Sequence, residues 1–252
     1  MIEWEERGAV TVLRMARGKG NALNLDFVGA LCDALDRFES SAARAAVVTG
    51  QGSVFSAGVD LPTLAAGGPE YVRQFIPRLG RAFERLATFP RPLVAAVNGH
   101  AIAGGAIIML ACDQRLLARG TARVGLTEIR VGVEFPAWAL ELARFATPPQ
   151  HFPTLLCTGR TWPPEEALAR GLVDEVVEPE QLLERACAVA EELAALPPAT
   201  FAATKLAVRR PMIEAARQQA ARTDAAMLEQ WCAPETLRQV AAFAEQNIKR
   251  RG

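Results

Sequence analysis

The chain has 252 residues, enough for one large domain but a tight fit for two independent ones. Lysine plus arginine and aspartate plus glutamate each number 28, so the balanced charge argues against nucleic acid or an anionic membrane as a partner. The five cysteines are widely spaced, odd in number and without a Cys-x-x-Cys pair, which argues against a disulfide framework and a zinc knuckle.

The first six residues are acidic and lack the basic and then apolar order of a signal peptide. The longest apolar stretch, around residues 101–112, is too short to cross a bilayer. We therefore expect a cytoplasmic protein that has no membrane partner.

The first half of the chain alternates between predicted strands and helices. β-Branched alternation predicts a strand over residues 8–15, and Asn24 predicts the cap of a helix whose apolar residues recur every three or four positions. Further strands are predicted over 45–49, 93–97, 115–118 and 122–126, and helices over 70–87 and 104–112. This repetition favours an α/β fold with buried strands.

After Pro136 the patterns become helical. Helices are predicted over 165–170, 180–196, 200–210, 212–232 and 234–249, with a stop at Pro211. Apolar stripes on these helices predict that residues 196–252 form a helical oligomerisation region beside a core of residues 1–195.

Common catalytic motifs are absent from the sequence. Gly50-Gln51-Gly52 lacks the third glycine of a dinucleotide fingerprint, and there is no P-loop, His-Glu-x-x-His or Gly-x-Ser-x-Gly. His100 and His151 are the only histidines, too few for a multi-histidine metal site, and both are interpreted as structural. No metal is predicted.

Two glycine-containing turns follow predicted strands, at 56–60 and 103–105. Small residues at such turns expose backbone N–H groups. Gly104 also begins a helix, where unpaired amides and the helix dipole favour negative charge. Together with a nearby carboxylate, the two turns would make a site.

The order and spacing of several motifs resemble the crotonase superfamily, the enoyl-CoA hydratase/isomerase enzymes. The motifs are 55–61 (FSAGVDL), 92–101 (PLVAAVNGHA), 103–105 (AGG), 112–113 (CD), 125–132 (GLTEIRVG), 156–160 (LCTGR), 166–167 (EA) and 171–174 (GLVD). The resemblance covers nearly the whole chain. It implies a crotonase-like spiral of β-β-α repeats, a helical C-terminal region that forms trimers or dimers of trimers, and a coenzyme A thioester as substrate with no permanently bound cofactor.

The resemblance also assigns roles to residues. It implies that the backbone N–H groups of Val59 and Gly104 form an oxyanion hole, and that Glu128 is the catalytic acid or base. Residues implied to line the coenzyme A, mostly through their backbone, are Lys19, Asn21, Ala22, Leu23, Ser56, Ala57, Gly58, Asp60 and Leu61.

The apolar surroundings of Glu128 would raise its pKa toward neutrality, as general base catalysis requires. The alternative is an exposed glutamate paired with Arg130. Asp60 and Asp113 are interpreted as turn-stabilising residues rather than as acids.

Ile107 occupies the position at which hydratases of this family carry a second glutamate, one helical turn after Gly104. Hydration uses two carboxylates, whereas moving a double bond needs one base, so the sequence favours Δ3-to-Δ2 isomerisation of an enoyl-CoA by Glu128. Glu134 could supply a second carboxylate and restore hydratase, decarboxylase or hydrolase chemistry, or it could pair with Arg130 or Arg144.

Phe135 and Trp138 are candidates for an acyl pocket, as are Phe75 and Phe83, although each also suits an ordinary core. A non-catalytic scaffold or RNA-binding relative remains an alternative. The retained Glu128 and the balanced charge argue against it. The sequence does not specify the acyl chain length, the pathway, or trimer against hexamer.

Overall fold

A computed structural model describes residues 1–249, with side chains described to Gln246. Within these residues, nine strands form a six-stranded sheet in the order β1-β2-β3-β5-β7-β9 and a three-stranded sheet in the order β4-β6-β8. The strands are β1 Ile2–Arg7, β2 Val10–Met15, β3 Ala45–Gly50, β4 Val54–Ser56, β5 Leu93–Val97, β6 His100–Ile102, β7 Gln114–Ala118, β8 Val124–Gly125 and β9 Glu175–Val177.

The helices lie around these sheets and make up the C-terminal region. They are α1 Leu25–Ser40, α2 Leu61–Thr88, α3 Gly104–Ala111, α4 Glu128–Val131, α5 Ala137–Ala146, α6 Phe152–Cys157, α7 Pro164–Ala169, α8 Leu182–Ala195, α9 Pro198–Cys232 and α10 Pro234–Lys249. A short 3-10 turn, Pro179–Gln181, precedes α8.

The larger sheet is parallel except for the antiparallel pair β1 and β2. Every residue of β3 and β5 is buried, which explains their continuous runs of alanine and valine, since both faces of the sheet are covered. Helices α1, α2 and α3 share the main core on one face. On the other face, α8 packs Leu182, Ala186 and Ala190 against β2, β3 and β5.

The β-β-α repeat determines where the site forms. In each of three successive repeats, one strand joins the large sheet, the next joins the small sheet, and a helix follows. Because β4, β6 and β8 are parallel neighbours, their carboxyl ends meet at one edge. The turns after these strands lead to Gly58, Gly104 and Glu128, which therefore come together.

Most predicted elements are confirmed, and Asn24 caps α1 by accepting a hydrogen bond from the N–H of Phe27. The strands β1, β4, β6 and β9 and the short helices α4, α5 and α6 were not predicted, and β9 is a correction to the region after Pro136, for which only helices were predicted. The predicted helix over 70–87 extends back to Leu61, with a break at Gly68, whose φ is +61°.

The predicted stop at Pro211 is wrong, because α9 continues through it. Pro211 removes one backbone donor, but it lies on the exposed side of the helix. The carbonyl left without that donor, on Ala207, is also on an exposed residue where water can satisfy it.

The C-terminal helices pack on the rest of their own chain. Helix α9 runs along α2 and α5, and α10 packs against α2, α9 and α4. Asp113, which follows α3, accepts hydrogen bonds from Lys205 Nζ at 2.7 Å and from Arg209 Nη2 at 2.8 Å. It also accepts the N–H of Leu93, so this carboxylate, with 14% of its side-chain surface exposed, joins α9 to the sheet.

Candidate active site

A cavity of about 460 Å³ lies at the edge where β4, β6 and β8 end. Its walls come from widely separated parts of the chain, including the turns after these strands, α2, α4 and the two C-terminal helices. The lining residues are Gly20, Ala22, Ala57, Val59, Asp60, Leu61, Pro62, Leu79, Phe83, Ile102, Ala103, Gly104, Ile107, Thr127, Glu128, Arg130, Val131, Val133, Pro136, Ala139, Trp231, Phe243 and Ala244.

The first bend, after β4, is held by a buried polar network. The side-chain amide of Asn21 donates to the carbonyl of Val54 at 2.8 Å, and the carbonyl of Asn21 accepts from Ser56 Oγ at 2.8 Å. Ser56 Oγ in turn accepts the N–H of Gly58. Asn21 and Ser56 are both fully buried, so they fix the bend from behind.

The second bend, before α3, lies directly against the first. Gly58 has a φ of +81°, and a Cβ built on it would meet the Cβ of Ala103 and the carbonyl oxygen of Ile102, both at 2.8 Å, and the nitrogen of Gly104 at 3.2 Å. Ala103 itself has a φ of +52°, a costly conformation for a residue with a side chain. The close packing of the two bends requires glycine at position 58.

The N–H groups of Val59 and Gly104 have no hydrogen-bond acceptor within residues 1–249. The backbone groups on either side of the Val59 N–H are paired: the N–H of Leu23 donates to the carbonyl of Gly58, and the N–H of Asp60 donates to the carbonyl of Leu23. Both Val59 and Gly104 line the cavity. Two unpaired N–H groups on adjacent bends can bind an oxygen that carries negative charge.

Glu128 is the first residue of α4 and lines the same cavity. The residue as a whole is half-buried, but its Oε2 is shielded from water and has no hydrogen-bond partner among the described residues. Burial raises the pKa of this carboxyl to about 7, and the nearby backbone N–H groups of Thr127 and Glu128 offset only part of that rise. Such a carboxyl can take up and release a proton at neutral pH.

Asp60 is the other acid in the cavity wall within the described part of the chain, and its oxygens are already used. One accepts the N–H of Thr63 at 3.1 Å and thereby caps α2. The other pairs with Arg17 Nη2 at 2.9 Å, while Arg17 also donates to the carbonyl of Ala22. This pairing supports a structural role for Asp60.

The wall facing these polar groups is apolar. Ile107 is fully buried one turn after Gly104, and Phe83 lies near Gly104. Trp231 from α9 and Phe243 from α10 close the side near α4. An apolar wall keeps water away from the carboxyl and strengthens the electrostatic interactions inside the cavity.

The residues predicted to line coenzyme A fall into three groups. Ala22, Ala57, Asp60 and Leu61 line the cavity. Lys19 is exposed outside it, and four residues are buried behind its wall, where they shape the backbone: Asn21, Leu23, Ser56 and Gly58.

Three predicted pocket residues lie outside the cavity. The side chain of Glu134 is exposed and does not line the cavity, and its carbonyl accepts the indole N–H of Trp231. Phe135 is half-buried against the core. Trp138 lines a separate hollow between α2, α5 and α9. The structure therefore offers no second acid at position 134.

Several residues of the cavity wall were missed from the sequence, chiefly Arg130, Trp231, Phe243 and Ala244. The last three lie more than 90 positions after Glu128 in helices without a local signature. The packing of α10 on α4 and the hydrogen bonds from α9 to the segment after α4 bring them to the site.

Within residues 1–249, no group of three or more His, Cys, Asp or Glu side chains is arranged to hold a metal ion. No helix in that range is both long and apolar enough to cross a bilayer.

A family model described as "Enoyl-CoA hydratase/isomerase" matches residues 5–249. A putative enoyl-CoA hydratase of Thermus thermophilus is 38% identical over 210 residues, which covers 81% of this chain and 82% of that protein. The mitochondrial enoyl-CoA delta isomerase 1 of Homo sapiens is 29% identical over 213 residues, covering 83% of this chain and 70% of that protein.

Solved structures are similar over most of the chain. The crystal structure of human mitochondrial delta3-delta2-enoyl-CoA isomerase superposes with a TM-score of 0.94 at 26% identity, covering 100% of this chain and 99% of that one. A probable enoyl-CoA hydratase of Mycobacterium tuberculosis superposes with a TM-score of 0.83 at 32% identity, covering 89% of this chain and 94% of that one.

Proposed function

The chain belongs to the enoyl-CoA hydratase/isomerase family and has the crotonase fold, and on that premise we propose that it moves the double bond of a 3-enoyl-CoA to position 2. Glu128 takes a proton from C2, and the electrons of that C–H bond spread over the carbonyl group and the double bond. Glu128 then returns the proton to C4. The reaction consumes no water and no other co-reactant.

The N–H groups of Val59 and Gly104 suit the charge that this step creates. Loss of the C2 proton leaves a dienolate whose negative charge is greatest on the thioester oxygen. Two donors directed at that oxygen stabilise the charge only as it develops, which lowers the barrier rather than tightening substrate binding. Removing one such donor typically costs about 3–4 kcal/mol of barrier.

The observation that carries the proposal is the single available carboxylate in the cavity wall. Glu128 has an unpartnered oxygen, whereas Asp60 is paired with Arg17 and caps α2. Ile107 occupies the first turn of α3, where an acid would complete a pair for holding water. One base with a pKa of about 7 suffices to carry a proton between two carbons.

The name of the human relative and the high structural similarity to the human isomerase also support this reaction. Hydration of a 2-enoyl-CoA is the alternative, because the Thermus relative is named as a hydratase.

The two reactions differ in the mass of the product. The protein would be incubated with a 3-enoyl-CoA and, separately, with a 2-enoyl-CoA, and the products separated and weighed. Isomerisation gives a 2-enoyl product of unchanged mass from the first, whereas hydration adds one water to the second. The proposal is wrong if the 3-enoyl-CoA binds but is not converted, or if hydration is the faster reaction.

We further propose that the protein assembles as a trimer or a dimer of trimers. Phe145 on α5 and Leu206 and Val208 on α9 are large apolar side chains with 41% to 59% of their surface exposed. Such side chains in one region are typical of a subunit interface. Sedimentation equilibrium would test this assembly, and a monomer at micromolar concentration would contradict it.

A further inference from the structure

The turn that carries Glu128 is closed by its own backbone. The carbonyl of Glu128 accepts the N–H groups of Gly132 at 3.0 Å and Val133 at 3.2 Å. Gly132 ends α4 in the left-handed region, with a φ of +84°. A four-residue helix has too few internal hydrogen bonds to be rigid alone, so its position depends on what contacts it from outside.

Helices α6 and α10 contact α4, and two consecutive side chains at the end of α9 add hydrogen bonds to the segment that follows α4. Gln230 Nε2 donates to the carbonyl of Gly132 at 3.0 Å. Trp231 Nε1 donates to the carbonyl of Glu134 at 2.9 Å. Both acceptors lie within six residues of Glu128, just after the turn, and neither donor belongs to the α/β body.

The end of α9 is itself fixed to a different helix, α2. Glu229 pairs with Arg73 of α2, with Arg73 Nη2 at 3.0 Å from Glu229 Oε2. The thiol of Cys232 lies 3.7 Å from the carbonyl of Pro69, also in α2. The two donors therefore connect the catalytic turn to a helix that also lines the cavity, through Leu79 and Phe83.

We infer that Gln230 and Trp231 are positioning residues, which hold the turn so that the Glu128 carboxyl faces the N–H groups of Val59 and Gly104. The inference rests on the proposed role of Glu128 as the base. Trp231 has a second role, because it also lines the cavity that Glu128 lines. Gln230 does not line the cavity; its amide donates to the carbonyl of Gly132 and, at 3.3 Å, to Thr236 Oγ1 of α10.

The test replaces each donor without a large change in shape, by Gln230→Leu and Trp231→Phe. Two matched controls make no hydrogen bond to the turn among the described residues. Trp138→Phe alters a tryptophan with 5% of its surface exposed, close to the 3% of Trp231. Gln219→Leu alters a half-buried glutamine of the same helix, whose amide contacts Thr223.

We expect kcat on a 3-enoyl-CoA to fall between about tenfold and a hundredfold in both test variants, since a small misplacement of a reacting group costs this much. KM should change little in Gln230→Leu. The acid limb of the pH profile of kcat/KM should move to lower pH, because a loosened turn admits water to the carboxyl. Asp60 and Arg130, the other charged residues of the described cavity wall, stay unchanged in every variant.

The inference is wrong if both test variants keep the wild-type kcat and pH profile, or if the controls lose as much activity. Failure of the proposed function gives a different result, namely no turnover by the wild-type protein. In that case, protonation of the Glu128 carboxyl can still be followed without turnover. Infrared spectra are recorded over a range of pH, and the spectra of Glu128→Gln are subtracted from those of the wild type. An unchanged midpoint in Gln230→Leu and Trp231→Phe would then overturn the positioning role.

Discussion

Helix α3 has a different arrangement of polar groups at each end. At its start, the N–H of Gly104 faces the cavity without an acceptor, and the Glu128 carboxyl nearby has an oxygen without a donor. At its other end, the carbonyl of Ala111 accepts from Arg209, and Asp113 is bonded to Arg209 and Lys205. At the start of α3, polar groups lack hydrogen-bond partners, and we call this the incomplete end. At the other end the polar groups just described are paired, and we call this the satisfied end.

The two ends of α3 serve different purposes: the groups at the incomplete end serve function, and those at the satisfied end serve stability. Unpaired polar groups in a buried position are costly, and a protein retains them where a ligand will complete them. Fully paired buried charges fix one packing arrangement, which here is the position of α9. Removing a group should therefore reduce activity at the start of α3 and reduce stability at its end.

Replacing the carboxyl at the incomplete end should have the largest effect. Glu128→Gln keeps the shape but removes the base, so kcat should fall by about 10²- to 10⁴-fold. The free energy of unfolding above pH 7 should not fall, because the variant no longer buries an ionised group without a partner. Steady-state kinetics and urea unfolding measure the two quantities. A strongly destabilised variant would contradict the assignment of this end to function.

Removing the acid at the satisfied end should affect stability. Asp113→Ala leaves Lys205 and Arg209 buried without their carboxylate, which should lower the free energy of unfolding by about 3–5 kcal/mol. Asp36→Ala is the control, since that aspartate is 66% exposed and pairs with Arg85 at the surface. Asp36→Ala should lower the free energy of unfolding by less than about 1 kcal/mol. Urea unfolding measures both free energies. If Asp113→Ala and Asp36→Ala lost the same amount, burial of Asp113, Lys205 and Arg209 would not increase the contribution of their ion pairs to stability.

A methyl group at the first bend should reduce activity through backbone geometry alone. In Gly58→Ala the new Cβ would clash with Ala103 and Ile102 and separate the two N–H groups, lowering kcat by about 10²- to 10³-fold. Gly8→Ala is the matched control: its φ is +61°, but a Cβ there meets nothing within 4 Å. Both variants should lose stability from the positive φ, and only Gly58→Ala should lose catalysis. Comparable kcat values in the two variants would refute the role of the bend.

The pH dependence of activity should follow Glu128. Its pKa is about 7, so kcat/KM should fall about tenfold per pH unit below that value as the base becomes protonated. Because the folded pKa lies above the unfolded value of 4.5, the native state binds more protons between 4.5 and about 7. This contribution to stability is present below pH 4.5 and is lost as pH rises toward 7. Glu128→Gln should remove both effects, and a rate that is flat from pH 5 to 8 would exclude this titration.

The smallest effect is expected from the second cation at the satisfied end. Burial lowers the pKa of Lys205 to about 8, so its charged form is not strongly favoured there. In Lys205→Met, Asp113 keeps its bonds to Arg209 and to the N–H of Leu93. The free energy of unfolding should therefore change by less than about 1 kcal/mol. A loss as large as that of Asp113→Ala would mean that the three groups act as one unit.

The sequence predicts the α/β body well, because buried parallel strands and glycine turns leave strong local patterns. Asn24, the run from Ala45 and the bend at Gly58 are each readable from neighbouring residues. Pro211 misleads because the prediction used only neighbouring residues. Proline normally ends a helix by removing a backbone donor, but here the carbonyl that loses the donor is exposed to water.

The site is only half readable from the sequence. Local motifs indicate Glu128 and the two bends, whereas the roles of Trp231 and Phe243 depend on long-range packing. The alternatives for Glu134 could not be separated by sequence either, because neighbouring residues do not indicate which side chains of the segment after α4 face the cavity: Val133 lines it and Glu134 is exposed.

The span of the cavity wall, from Gly20 to Ala244, affects when the protein can first work. During synthesis the strands and bends emerge early, but a domain generally folds as a unit, and α9 and α10 contribute residues to its main core. The enclosure around Glu128 is completed only after Phe243 and Ala244 have left the ribosome. A nascent chain that stops before them would lack this part of the cavity wall and would leave the base open to water.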